Sequence, residues 1–195
     1  MIKKGLLYGA SLVLFCWYVG ILYFAVHPNV SEAYRLYYIS HELKHWKGNQ
    51  GIIVLSNEKI PFDSIQDNRV AYLGKGWSSP EDWGIWMEGR EANLYMQLSS
   101  RPDGPIEMQL QSLSFLPEGS KEFSIEANGH PIGSIKAKYD GSTLYTVTIP
   151  SNLLSNNLLL HIKIINPVPI SPAQIGQSSD IRELGLGVQW MKLTY

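Results

Sequence analysis

The chain of 195 residues has a single cysteine, Cys16. One thiol excludes an intramolecular disulfide and any multi-cysteine metal site. Cys16 lies inside an apolar run, where it reads as a small hydrophobe, and Phe15 before it is too bulky for a lipoprotein cleavage site. Charge of one sign is lacking too: 16 basic and 17 acidic residues leave a formal net charge of -1. Without a Lys/Arg block there is little counterion-release attraction, which excludes nucleic acid as a partner class. No Asp-x-Asp-x-Asp run marks a calcium loop, and no nucleophile elbow marks a serine hydrolase. No sequence feature asks for a cofactor, and no internal repeat or low-complexity segment is present.

What the chain does have begins with residues 5–26, which carry no charge and follow Lys3 and Lys4. At ~1.5 Å per helical residue this run spans a ~30 Å hydrocarbon core. It exceeds the apolar region of an ordinary signal peptide, and no small-x-small site follows it. The reading is an uncleaved signal anchor over residues 1–27, single-pass in a bacterial inner membrane, with the C-terminal domain extracytoplasmic. Arg35, Lys44 and Lys47 follow the span, so the positive-inside rule says little about its orientation.

Residues 28–50 form a juxtamembrane segment. Ser31 supplies an N-cap, Glu32 an acidic first turn, and Leu36, Ile39, Leu43 and Trp46 recur at helical spacing, predicting an amphipathic helix to about Trp46. Inside it, His41-Glu42-Leu43-Lys44-His45 matches the pattern His-Glu-x-x-His. On a helix, His41 and His45 would face one zinc ion while Glu42 acted as general base. No third ligand is evident, and Lys44 puts a charge inside the motif. A solvated helix face is the competing reading.

Residues 51–195 alternate with a period of two. Ile52 to Leu55 opens the series. Ala92, Leu94, Met96 and Leu98 then face a core while Glu91, Asn93, Tyr95 and Gln97 face water. Ile106, Met108 and Leu110 repeat the pattern, with a phase slip at Leu113 that suggests a bulge near Ser112. Asn128-Gly129 is the dipeptide of a type I′ hairpin, and Asp140-Gly141 marks a further turn. Leu160, Ile162 and Ile164 point opposite to His161 and Lys163, and residues 186–195 close the chain. The predicted fold is mainly β: an antiparallel β-sandwich (jelly roll) with an N-terminal transmembrane helix and a short juxtamembrane amphipathic helix.

Half of the six tryptophans crowd into Gly76-Trp77-Ser78-Ser79-Pro80-Glu81-Asp82-Trp83-Gly84-Ile85-Trp86. Paired with Ser179-Asp180-x-Arg182-x-Leu184-Gly185-Leu186-Gly187 and the Pro169-Ile170-Ser171-Pro172 stretch, this resembles an accessory β-sandwich domain of bacterial membrane enzymes. Those enzymes build or decorate cell-envelope glycans, and include phosphoglycerol transferases and membrane glycosyltransferases. The resemblance covers roughly residues 74–195; their catalytic portions are missing, so no catalytic residue is carried over. Trp77, Trp83 and Trp86 are candidate platforms for sugar rings, with Glu81 and Asp82 as hydroxyl acceptors. Plugging one end of the sandwich is the competing role. Adjacent strand carboxylates point apart, so Glu81 and Asp82 do not form a glycosidase pair. Asp180 and Arg182 are expected to pair and pin the loop before the last strand.

Three functions follow as expectations. The first is a membrane-anchored, non-catalytic accessory or glycan-binding protein in envelope polysaccharide assembly, its partners being the lipid bilayer and either a glycan or a membrane transferase. The second is a membrane-anchored zinc metallohydrolase. The third is a scaffolding subunit of a glycan-modifying enzyme.

Overall fold

The computed structural model describes residues 2–46, 48, 53–63, 68–116, 119–138, 141–154 and 156–195. The predicted strand residue Ile52, the turn residue Asp140 and the basic residue Lys47 lie outside these. Helix α1 (Ile2–Val26) is continuous, and its Tyr8–Val26 window has no buried residue. That window has the length and composition shared by membrane anchors and signal sequences.

Ser31 caps the next helix as expected, its Oγ accepting the Tyr34 N–H at 3.3 Å. The helix does not reach Trp46. Helix α2 (Glu32–Tyr34) runs into a π-helical turn, Arg35–Ile39, closed by the Ser40 N–H on the Arg35 carbonyl at 2.9 Å. His41 then takes a left-handed φ of 54°, and the Glu42 N–H returns to the Leu36 carbonyl at 2.8 Å. Beyond it Leu43 makes a bridge to Gly74. The stripe Leu36, Ile39, Leu43, Trp46 is therefore not one helical face: Leu36 and Leu43 are buried together with Tyr95, whereas Ile39 is exposed. Burial against the sandwich overrides a helical period that carried only weak intrinsic stability over so few turns.

Among the described residues ten strands follow: β1 (Ile53–Val54), β2 (Lys59–Pro61), β3 (Ile85–Glu88), β4 (Glu91–Leu98), β5 (Ile106–Ser114), β6 (Ser120–Ala127), β7 (His130–Lys138), β8 (Thr143–Ile149), β9 (Leu159–Ile165) and β10 (Leu184–Thr194). One sheet has the order β1-β4-β9-β6-β7 and the other β2-β10-β5-β8, with β3 also paired to β10. Taken from β3 onward, the two layers β3-β10-β5-β8 and β4-β9-β6-β7 are the strand order of a jelly roll. β1 joins β4 in parallel, the one such pair among the described strands.

Alternation explains the core. Leu94 and Met96 of β4, Ile162 and Ile164 of β9, and Phe123 and Ile125 of β6 are fully buried against Met108 and Leu110 of β5 and Val188 and Met191 of β10. The β6–β7 turn has φ of 48° at Asn128 and 80° at Gly129, the left-handed pair that a two-residue hairpin demands. The expected bulge near Ser112 is present, but its extra residue is on the partner strand. β5 keeps its phase, with Ser112 buried, and the register shift lies on β10 between Val188 and Trp190, which face Ser112 and Gln111.

Candidate functional site

The tryptophan stretch is an irregular hairpin that leads into β3. Gly76 has φ of 89°, and a Cβ there would stand 1.8 Å from the Glu91 carbonyl oxygen, so the chain crosses β4 where only glycine fits. The hairpin is closed by the Ser78 N–H on the Trp86 carbonyl at 2.9 Å, the Glu88 N–H on the Gly76 carbonyl at 2.8 Å, and the Glu81 N–H on the Gly84 carbonyl at 2.7 Å. Asp82 is exposed at the turn.

This geometry separates the three indoles. Trp77, the residue that the sequence offers as a sugar platform, is 3% exposed. Its N–H donates to the Asn93 carbonyl at 2.8 Å, and its ring lies near-parallel to Phe62, centroids 6.5 Å apart. It alternates inward with Ile85 and Met87. Trp83 and Trp86 are half-buried and meet edge to face, with centroids 4.9 Å apart and planes at 67°. Both rest on β10 at Gly187, where a Cβ would fall 2.6 Å from Trp83 and 2.8 Å from Trp86. The two rings are neither coplanar nor fully open.

Glu81 ties the hairpin to the loop before β10. One carboxylate oxygen accepts the Trp83 indole N–H at 2.9 Å and the other accepts from Arg182 Nη1 at 3.2 Å. Arg182 also donates to Asp180 through Nη2 at 2.6 Å and Nε at 3.0 Å. Hydrogen bonds from the Arg182 side chain and backbone hold the Asp180 carboxyl below its ordinary pKa, and Arg182 is raised in turn. The sequence pairs Asp180 with Arg182 and offers Glu81 as a ligand acceptor, but not the contact between Glu81 and Arg182; the available signal is that the two motifs occur together. A cleft of about 590 Å³ opens where they meet, lined by Gly76, Trp77, Glu88, Gly89, Ile181, Arg182 and Glu183.

A second cleft, of about 310 Å³, lies on the outer face of the β4–β9 pair and was not singled out from the sequence. Glu91, Asn93 and Tyr95 alternate along β4, His161 and Lys163 along β9, and cross-strand register sets Tyr95 opposite His161 and Asn93 opposite Lys163. The Tyr95 and His161 rings stack at 4.4 Å with planes 6° apart. His161 Nε2 lies 2.8 Å from Asn93 Oδ1, and the Tyr95 hydroxyl donates to Glu42. Burial, with Lys163 nearby, lowers the His161 pKa, so the ring is neutral at pH 7; burial and the Glu42 carboxylate raise that of Tyr95. Lys75 and Glu91 stand exposed at the rim, while Lys163 pairs with Glu126 at 3.2 Å.

Glu42 thus belongs to this cleft and not to a zinc-protease helix. His41 and His45 lie beyond the end of the π-helical turn, in non-helical backbone, so the i, i+4 relation no longer brings their rings to one metal. Among the described residues no three His, Cys, Asp or Glu side chains are grouped to hold a metal ion.

The fold and the clefts define a jelly-roll β-sandwich carried behind an apolar N-terminal helix. No protein-family model and no curated protein matches the chain. Among solved structures it is similar to the CBM36-1 domain of a multidomain xylanase from the hindgut metagenome of Trinervitermes trinervoides, with a TM-score of 0.41 and 11% identity over 72% of this chain and 98% of that one. It is also similar to the C-terminal CBM6 of a marine laminarinase from Zobellia galactanivorans, with a TM-score of 0.41 and 13% identity over 72% and 100% of the two chains. A family 6 carbohydrate-binding module from Clostridium cellulolyticum gives a TM-score of 0.38 and 10% identity over 73% and 100%.

Proposed function

We propose that the protein is a non-catalytic, membrane-anchored module that displays its sandwich outside a bacterial inner membrane and binds a hydroxyl-rich ligand of the cell envelope in the β4–β9 cleft. One observation carries the reading: the Glu42–Tyr95–His161–Asn93 cluster forms a stacked, hydrogen-bonded floor beneath an open polar cleft. The floor is fixed before a ligand arrives, which lowers the ordering cost of binding. The rim offers an ammonium at Lys75 and a carboxylate at Glu91. Groups of both signs suit a neutral or zwitterionic glycan, whose hydroxyls donate and accept. The apolar length of α1 supports the anchor.

Titration of the full chain in micelles with envelope oligosaccharides tests this. Lys75→Ala and Glu91→Ala are expected to weaken binding by about tenfold each, or ~1.4 kcal/mol, while Asp82→Ala leaves it unchanged. Loss at Asp82 with no change at the rim would move the site to the hairpin. The packed state of Trp83 and Trp86 favours a second reading, a scaffolding subunit of a membrane glycosyltransferase or phosphoglycerol transferase. Its mark is co-purification with such an enzyme when no glycan binds.

A further inference from the structure

The strap formed by residues 32–46 has two faces. On one, Leu36 and Leu43 are buried with Tyr95 of β4. Glu42 accepts from the Tyr95 hydroxyl, and Lys44 Nζ donates to the carbonyls of Trp77 at 2.7 Å and Ser78 at 3.2 Å. This face is fully committed to the sandwich.

The other face is aromatic and open. Tyr34 and Tyr38 lie on it with ring centroids 4.5 Å apart, and both meet Trp46, which with Tyr37 packs down onto the Leu36–Leu43–Tyr95 cluster. Despite that mutual packing, Tyr34 is 39%, Tyr38 52% and Ile39 50% exposed. A concentrated apolar and aromatic surface of this kind marks an interaction site rather than ordinary surface scatter. Its position says with what. Five residues, 27–31, separate Val26 at the end of α1 from Glu32 at the start of α2, a reach of at most ~20 Å over six Cα steps even when extended. The Val30 N–H to Pro28 carbonyl bond at 2.9 Å shortens it further. Tyrosine and tryptophan rings, with an apolar body and a polar tip, favour the boundary between headgroups and acyl chains. The cations Arg35 and Lys44 are both engaged, Arg35 by Glu32 and Lys44 by the two carbonyls, which leaves the attraction to the apolar rings.

We infer that Tyr34, Tyr38 and Ile39 seat the strap in the headgroup–acyl boundary of the bilayer that α1 spans, holding the sandwich on the membrane surface instead of at the end of a free tether. The inference rests on the anchoring reading above. It adds a lipid-facing role to a segment whose opposite side builds the β4–β9 cleft, so the ligand site sits at a fixed height above the membrane.

Spin labels on the full chain test it. In a Cys16→Ser background, single labels go at Ile39→Cys, at Val13→Cys in α1, and at Leu144→Cys on β8 of the other sheet, each an exposed position. The chain is reconstituted in phosphatidylcholine vesicles and in vesicles of phosphatidylethanolamine with phosphatidylglycerol, and collision with oxygen and with an aqueous nickel chelate is measured. Val13 should read the bilayer interior and Leu144 water. Ile39 should collide with nickel several-fold less than Leu144, to the same extent in both lipid mixtures. An Ile39 label as accessible to nickel as Leu144, with Val13 still in the interior, overturns the seat and leaves the anchor standing. A Val13 label in water overturns the anchor and the seat together.

Discussion

Replacing Trp77 with alanine separates an architectural indole from a ligand platform. The ring is 3% exposed and packs beside Phe62 in the main core, so truncation removes a large buried side chain and leaves a cavity, at a cost of about 3–5 kcal/mol. The lost indole bond adds little, because the Asn93 carbonyl keeps the Gly74 N–H at 2.8 Å and is not left bare. Domains of this kind hold only about 5–15 kcal/mol in total. At least about a fifth of the stability is therefore at stake, and a chain of this size loses roughly 2–4 °C of Tm per kcal/mol. Trp77→Phe keeps a ring beside Phe62 and should cost only about 1–2 kcal/mol. Denaturant and thermal unfolding of the full chain in micelles, followed by near-UV circular dichroism, reads both variants. An alanine variant that unfolds at the parental midpoint would refute the reasoning, and would do so decisively if it had also lost ligand binding.

Two glycines with the same sign of φ give a sharper steric test: Gly89→Ala, with φ of 81° and no atom within 4 Å of the new Cβ, should cost about 1–2 kcal/mol. Gly76→Ala adds a 1.8 Å approach to the Glu91 carbonyl and should exceed it clearly in the same unfolding assay; equal costs would mean the crossing over β4 is slack. Burial lowers the His161 pKa from its ordinary 6.5, so the unfolded chain binds that proton more tightly. Its contribution is complete above pH 6.5 and is lost as pH falls through 6.5 toward the folded value. His161→Gln should flatten that slope, measured as unfolding free energy across the range, and an unchanged slope would assign it to other groups. A double-mutant cycle with Glu81→Gln and Arg182→Gln should give a coupling of no more than about 1 kcal/mol that shrinks with salt, because both side chains are 36% exposed. A larger, salt-insensitive coupling would place the pair in a drier setting.

The sandwich was legible wherever a local rule decides the outcome. Asn128 and Gly129 both need positive φ, which few other dipeptides tolerate, and the hairpin falls where that pair stands. Along β4 and β9 the period of two separates a core face from an outer one without knowledge of the partner. Long-range events were not legible. A helix to Trp46 satisfies the local period, yet Leu43 finds better burial with Tyr95 on β4 and the helix stops at His41. Trp77 reads as exposed or buried only once the covering layer is known. The Glu81–Arg182 contact joins residues 101 positions apart. Even the phase slip after Leu110 was read on the wrong strand, because a register shift belongs to a pair and the extra residue lies on β10. The β4–β9 cleft was hidden for a related reason: its residues were placed on a wet face, and the strap that half-roofs them comes from outside the sandwich.

The placement of β10 carries a consequence for how the chain matures. This last strand pairs with β5 along one side and with β2 and β3 along the other, and Tyr195 just beyond it donates its hydroxyl to the Val54 carbonyl at 2.6 Å. Until it is delivered, one of the two layers has no centre, and β2, β3 and β5 have nothing to pair with there. The layer β2-β10-β5-β8 therefore closes only once residues 184–194 are in place, whereas β1-β4-β9-β6-β7 pairs without them.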